Sequence, residues 1–131
     1  MKARCFSAKF NGMIGTDIIE IERVRKSAEN ESFLAGAFTA AEREYYESHG
    51  KRAETLAGMF CAKEAVAKAL GCGFRGFRPC HVEIMHDSLG APRARLIGKA
   101  AELFPNAQIE ISISHCAEYA TAVAIVNARK V

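Results

Sequence analysis

The chain has 131 residues, 50% of them hydrophobic and 25% charged, a balance typical of one compact globular domain. Its 18 basic and 15 acidic residues give a net charge of +3, which is too even for a general nucleic-acid binder, and no apolar run reaches the roughly 18 residues of a membrane span. Five cysteines without a CxxC pair indicate reduced thiols in a cytoplasmic protein, and they argue against a disulfide framework or a zinc site.

The first third of the chain predicts a strand followed by a helix. Residues 1–12 lack a clear periodicity and are expected to be a poorly ordered extension before a domain covering 13–131. The apolar run 13–21 predicts a buried strand that Asp17 interrupts. A carboxylate there must be hydrogen-bonded, paired or metal-bound, unless it caps the next helix. That helix, expected over 20–28, exposes three cations that form either a solvated face or a binding patch: Arg23, Arg25 and Lys26.

Further helices are expected over 30–36 and 39–48, and the second begins with a capping box formed by Thr39 and Glu42. A long central helix follows from about residue 52 to Gly71, and its apolar arc predicts a core-facing position. Lys63 falls inside that arc, where an unpaired charge is costly. Glu64 and Lys68 lie one turn apart on its flank and are either an exposed i,i+4 pair or functional groups.

The second half of the chain predicts a hairpin over 81–97, a short helix over 98–104, and two strands over 109–115 and 119–126. His115 shares the strand parity of three isoleucines, and a histidine in this position is usually a core residue. The element order predicts an α+β fold in which a mainly antiparallel sheet wraps around the long central helix.

Four segments, taken in order, resemble the holo-acyl-carrier-protein synthase family of 4′-phosphopantetheinyl transferases. They are IGTDI at 14–18, FTAAE at 38–42, FCAKEAVAKALG at 60–71, and ISH at 113–115 with YA at 119–120. The resemblance implies transfer of the phosphopantetheine arm of coenzyme A to a serine of acyl carrier protein, a step that serves fatty acid biosynthesis. It also implies a homotrimer that binds coenzyme A at the subunit interface.

The resemblance also implies residue roles. Asp17 and Glu64 hold Mg²⁺, Lys68 serves the diphosphate, and these three residues form the catalytic set. Lys63 and His115 are expected at coenzyme A, and the cations after Asp17 are expected to meet the acidic carrier. Two carboxylates with a diphosphate match the hard oxygen ligands that Mg²⁺ prefers.

Two positions depart from the family pattern. Met59 stands where many relatives carry Arg, and Ala91 stands where they usually carry Lys. Both departures concern contacts with the nucleotide. Two other functions use the same residues. One is a Mg²⁺-dependent hydrolase of nucleotide diphosphates with water as nucleophile. The other is a non-catalytic carrier-binding module in which Asp17 is a helix cap.

Overall fold

The structure is a computed structural model that describes residues 12–71 and 73–127. The expected N-terminal extension therefore lies outside the described residues, apart from Gly12. The helices and strands follow the predicted order, with an additional 3₁₀ turn at Pro79–His81. In chain order they are β1 (Gly12–Glu20), α1 (Ile21–Ser27), α2 (Glu31–Ala37), α3 (Ala40–Ser48), α4 (Ala53–Ala69), β2 (Val82–His86), β3 (Pro92–Leu96), α5 (Gly98–Leu103), β4 (Gln108–His115) and β5 (Tyr119–Asn127).

Local hydrogen bonds explain where two of the helices begin. The Asn30 side chain accepts from the backbone N–H of Ser32 and starts α2. The predicted capping box starts α3, because Thr39 Oγ1 accepts from the Glu42 N–H while Glu42 Oε1 accepts from the Thr39 N–H. These caps satisfy backbone donors that the first turn of a helix leaves unpaired.

The strands form two antiparallel sheets, whereas the sequence predicts one. One has the order β1-β5-β4 and the other pairs β2 with β3. β3 contacts β4 without forming a ladder with it. The predicted α+β class, with mainly antiparallel pairing around a long central helix, is confirmed.

The central helix α4 packs across the inner face of the three-stranded sheet, and β5 supplies a row of small side chains beneath it. Ala120, Ala122 and Ala124 are all buried against the helix. At Gly15 a Cβ would collide with the carbonyl oxygen of Ala65, so only glycine allows β1 to lie this close to α4. Strand and helix are therefore in backbone contact beside Asp17.

On β1 and β5 the outer face of the same sheet exposes large apolar side chains. These side chains are exposed by 41% to 66% and comprise Ile14, Ile18, Tyr119, Val123 and Ile125. None of the helices in the described ranges is both long and apolar enough to cross a bilayer.

Candidate active site

The close contact between β1 and α4 brings the first carboxylate to the helix. Asp17 lies two residues after Gly15 and shares its inner face of the strand, where it pairs in register with Ala122 of β5. Glu64 is the neighbour of Ala65, the residue whose carbonyl oxygen Gly15 approaches. The spacing on each element thus places both predicted ligands at one edge of the helix–sheet contact.

Asp17 is paired and does not cap a helix. The Lys68 ammonium donates to Asp17 Oδ1 at 3.2 Å and to the Thr16 carbonyl oxygen at 3.0 Å. The N-cap of α1 is Glu20, which makes no side-chain cap hydrogen bond. The prediction that the carboxylate must find a partner is confirmed, and the helix-cap alternative is wrong.

Glu64 is half-buried at the same place. Burial raises the pKa of its carboxyl, the nearby Asp17 raises the pKa further, and Lys68 lowers it. Two like charges disfavour each other's ionisation, which is why Asp17 adds to the effect of burial on the Glu64 pKa. Lys68 forms its ion pair with Asp17, not with Glu64 as a simple i,i+4 pair would require.

A hard divalent cation fits this pair. Carboxylate oxygens are its preferred ligands, and a bound cation would offset the burial and the like-charge repulsion that raise the pKa of Glu64. Within the described residues no cluster of three or more His, Cys, Asp or Glu side chains could hold a metal ion. Two carboxylates are nevertheless the usual protein share for Mg²⁺, which keeps waters and takes substrate phosphates.

One further side chain at the site was not found from the sequence. The Cys61 thiol donates to Asp17 Oδ2 at 3.4 Å and lies 3.6 Å from the Ala120 carbonyl oxygen. Burial, with Asp17 beside it, raises the pKa of this thiol to about 12, so it stays protonated and acts as a donor.

Lys63 is not part of this group, and its expected contact with coenzyme A needs correction. Its side chain is fully buried on another face of α4. Its ammonium donates to Glu42 Oε1 at 2.8 Å and to the carbonyl oxygens of Pro79 at 3.0 Å and Val82 at 2.6 Å. With all three of its donors satisfied inside the chain, Lys63 needs neither a ligand phosphate nor a neighbouring subunit to cover it.

His115 ends β4 and is exposed, so it is not a core histidine. It lines an open cleft together with Arg52, which supplies a guanidinium, His86, which supplies a second imidazole, and Met59. Arg52 was also missed from the sequence, because an Arg just before a helix has no distinctive pattern. His115 lies on the same face of the sheet as Asp17, with β5 between their strands.

The three cations of α1 are all exposed, and they line a shallow cleft between this helix and the turn before β5. Arg25 forms an ion pair with Glu22 at 2.9 Å. Among the described residues Arg23 has no ion-pair partner. The lining of the cleft also includes Glu20, Glu22 and Glu118, so the exposed cations stand among carboxylates on the helix that follows the Asp17 strand.

Comparison with known proteins decides the family. The model of the 4′-phosphopantetheinyl transferase superfamily matches residues 13–124. The chain belongs to this superfamily. The holo-[acyl-carrier-protein] synthase of Fusobacterium nucleatum is 46% identical over 117 residues, which cover 86% of this chain and 96% of that relative.

Solved structures of the transferase superfamily agree with the fold. The Helicobacter pylori holo-[acyl-carrier-protein] synthase in complex with coenzyme A matches with a TM-score of 0.77 and 30% identity, over 87% of this chain and 99% of that one. The Bacillus anthracis synthase in complex with CoA (3′,5′-ADP) matches with a TM-score of 0.76 and 29% identity, over 89% of this chain and 96% of that one. The resemblance inferred from the four sequence segments is confirmed.

Proposed function

We propose that the chain is a holo-[acyl-carrier-protein] synthase, which transfers 4′-phosphopantetheine from coenzyme A to a serine of apo-acyl carrier protein and serves fatty acid biosynthesis. The observation that carries the proposal is the grouping of Asp17, Glu64 and Lys68 in a member of this superfamily. The serine oxygen attacks the phosphorus that carries pantetheine. The bond from that phosphorus to the bridging oxygen breaks, and adenosine 3′,5′-bisphosphate leaves.

Asp17 and Glu64 would hold Mg²⁺, which when bound neutralises charge on the diphosphate oxygens. Lys68 is oriented by Asp17 and the Thr16 carbonyl oxygen, and its exposed ammonium is available to a phosphate. A carboxylate of the pair or a water accepts the serine proton. Positioning of charge by these residues is the main catalytic contribution that phosphoryl transfer needs.

The carrier is proposed to dock on α1. Acyl carrier proteins are acidic, and Arg23, Arg25 and Lys26 are exposed cations on the helix that directly follows the Asp17 strand. An arginine can hold a carboxylate with two hydrogen bonds, which favours Arg23, because the other arginine of α1, Arg25, is already paired with Glu22. Charge at such a rim mainly increases the rate of encounter.

His115 and Arg52 are proposed to receive the phosphates of coenzyme A, but within one chain α4 separates them from Asp17. The Cys61 thiol near Ala120 shows that the helix rests on β5, the strand between those of Asp17 and His115. One coenzyme A molecule could contact the Asp17 site of one subunit and the His115–Arg52 pair of a neighbouring subunit.

A homotrimer with shared sites is proposed on this basis. The exposed apolar face of β1 and β5 is the kind of surface that subunit contacts cover. Sedimentation at several concentrations, with activity measured in parallel, should show activity following the assembled fraction by mass action. A fully active monomer at micromolar concentration would contradict the shared site.

The cytoplasm is the proposed compartment. In the described part of the chain the cysteines are free thiols, namely Cys61, Cys80 and Cys116, as is usual for proteins of a reducing compartment.

Intact-mass analysis of apo-carrier incubated with coenzyme A and Mg²⁺ tests the function directly. The synthase reaction adds the phosphopantetheine mass to the carrier and releases adenosine 3′,5′-bisphosphate. A hydrolase would give the bisphosphate with an unmodified carrier, and a binding module would give neither product. Glu64→Gln should reduce turnover by a factor on the order of 10²–10⁴, whereas Glu102→Gln on exposed α5 should have no effect.

A further inference from the structure

The Asp17 carboxylate is held from two sides by two side chains of the same helix. Lys68 donates to Oδ1 and the Cys61 thiol donates to Oδ2. Lys68 is exposed, whereas Cys61 is fully buried beneath the carboxylate. Among the described residues, this thiol is the one hydrogen-bond donor to Oδ2.

We propose that Cys61 is a positioning residue that orients the Asp17 carboxylate for the divalent cation. The inference rests on the proposed function, because it assigns Asp17 to the metal. Cys61 does not touch the cation or the substrate, and it acts only through the oxygen to which it donates. Groups that hydrogen-bond metal ligands commonly set the orientation of those ligands and the affinity for the metal.

The geometry gives the thiol a specific task. Lys68 Nζ already bonds to Oδ1 and competes with a cation for the negative charge of Asp17. A carboxylate that could rotate freely would offer both oxygens to the lysine. By holding Oδ2 toward α4, the thiol limits that rotation and keeps one orientation of the carboxylate.

Burial makes a weak donor effective here. A thiol is a poorer donor than a hydroxyl, but Cys61 is fully buried and the Asp17 side chain is only 17% exposed, so solvent weakens this hydrogen bond less than it would an exposed one. The thiol has a single hydrogen, and its second possible acceptor, the Ala120 carbonyl oxygen, is 3.6 Å away compared with 3.4 Å for Asp17. Asp17 also carries the charge, which strengthens its bond.

The test compares Cys61→Ala, which removes the donor, with Cys61→Ser, which keeps one. Mg²⁺ alone is titrated into each assembled protein by calorimetry, and transfer is measured as a function of Mg²⁺ concentration. We expect Cys61→Ala to raise the Mg²⁺ dissociation constant about tenfold, with turnover largely restored at saturating Mg²⁺. Cys61→Ser should stay within roughly threefold of the parent protein, since a hydroxyl is also a donor.

Val66→Ala is the matched control, because it removes buried volume from the same helix at an apolar side chain that cannot donate a hydrogen bond to Asp17. It should lower the melting temperature without changing the Mg²⁺ dissociation constant. The proposal is overturned if Cys61→Ala leaves that constant unchanged, or if Cys61→Ser weakens Mg²⁺ as much as Cys61→Ala does, since packing would then be the cause. Failure of the proposed function has a different signature, in which the parent protein itself neither binds Mg²⁺ nor modifies the carrier.

Discussion

Replacing Lys63 by methionine should destabilise the fold and leave the active site intact. The change removes a buried charge and three hydrogen bonds, to Glu42 and to the carbonyl oxygens of Pro79 and Val82. Breaking a buried ion pair by removing one partner typically costs about 3–5 kcal/mol. Glu42 keeps two backbone donors, the N–H groups of Thr39 and Ile84, so its carboxylate is not left unsatisfied.

The expected loss is therefore at the lower end, about 3 kcal/mol, out of a total stability of roughly 5–15 kcal/mol for an ordinary domain. Urea unfolding of the parent protein, Lys63→Met, Glu42→Gln and the double variant measures it as a double-mutant cycle. A coupling energy of about 1–3 kcal/mol is expected for residues in direct contact. At a temperature where Lys63→Met is folded, its affinity for coenzyme A should equal that of the parent. Unchanged unfolding together with weaker coenzyme A binding would refute the structural role and return Lys63 to the ligand site.

Three other substitutions probe the packing, the cleft and the docking surface. Gly15→Ala should push β1 away from Ala65, lowering both the melting temperature and Mg²⁺ affinity, and an unchanged affinity would mean that this contact does not position the site. Burial lowers the pKa of His86 below its ordinary value of about 6.5. Well above that pH, His86 is neutral in both the folded and the unfolded chain. As the pH falls, the unfolded chain binds the proton first, so the free energy of unfolding decreases until His86 is also protonated in the folded chain. His86→Asn should therefore flatten the unfolding free energy measured between pH 7 and pH 5, and an identical slope in both proteins would argue against the assignment. Arg23→Glu should raise the KM for carrier at least roughly tenfold and weaken its salt dependence while coenzyme A affinity stays constant; equal losses for both substrates would indicate damage to the fold or the assembly.

Local chemistry was the most predictable part of this fold. The capping box at Thr39 follows from two residue types at a fixed spacing, and the structure contains both hydrogen bonds. The strand order within each hairpin also follows from alternation and turn residues. The need of Asp17 for a partner follows from the cost of an unpaired buried carboxylate. The sequence did not decide whether that partner is a hydrogen-bond donor, a basic side chain, a metal ion or the start of the next helix.

Long-range pairing was harder to predict, because it depends on which elements meet. Glu42 illustrates this: its role in the capping box was visible, but the same carboxylate also accepts from the Lys63 ammonium and the Ile84 N–H. Those partners are 21 and 42 residues away in the chain, and nothing in a local pattern connects them. The division of the strands into two sheets has the same origin, because alternation predicts that a strand exists but not its neighbour.

The two lysines of α4 carry the same charge, but they point to different faces of the helix. At about 100° per residue, Lys63 and Lys68 point roughly 140° apart, so one site on one subunit cannot readily use both. Cys61 and Lys68 are seven residues apart and differ by only about 20°, which places the thiol in the stripe that faces β1. The structure agrees: that stripe supports Asp17, while the other face holds Glu42 against β2. Substituting Lys63 should thus change unfolding more than metal binding, and substituting Cys61 should do the reverse, because the two faces of one helix carry different tasks.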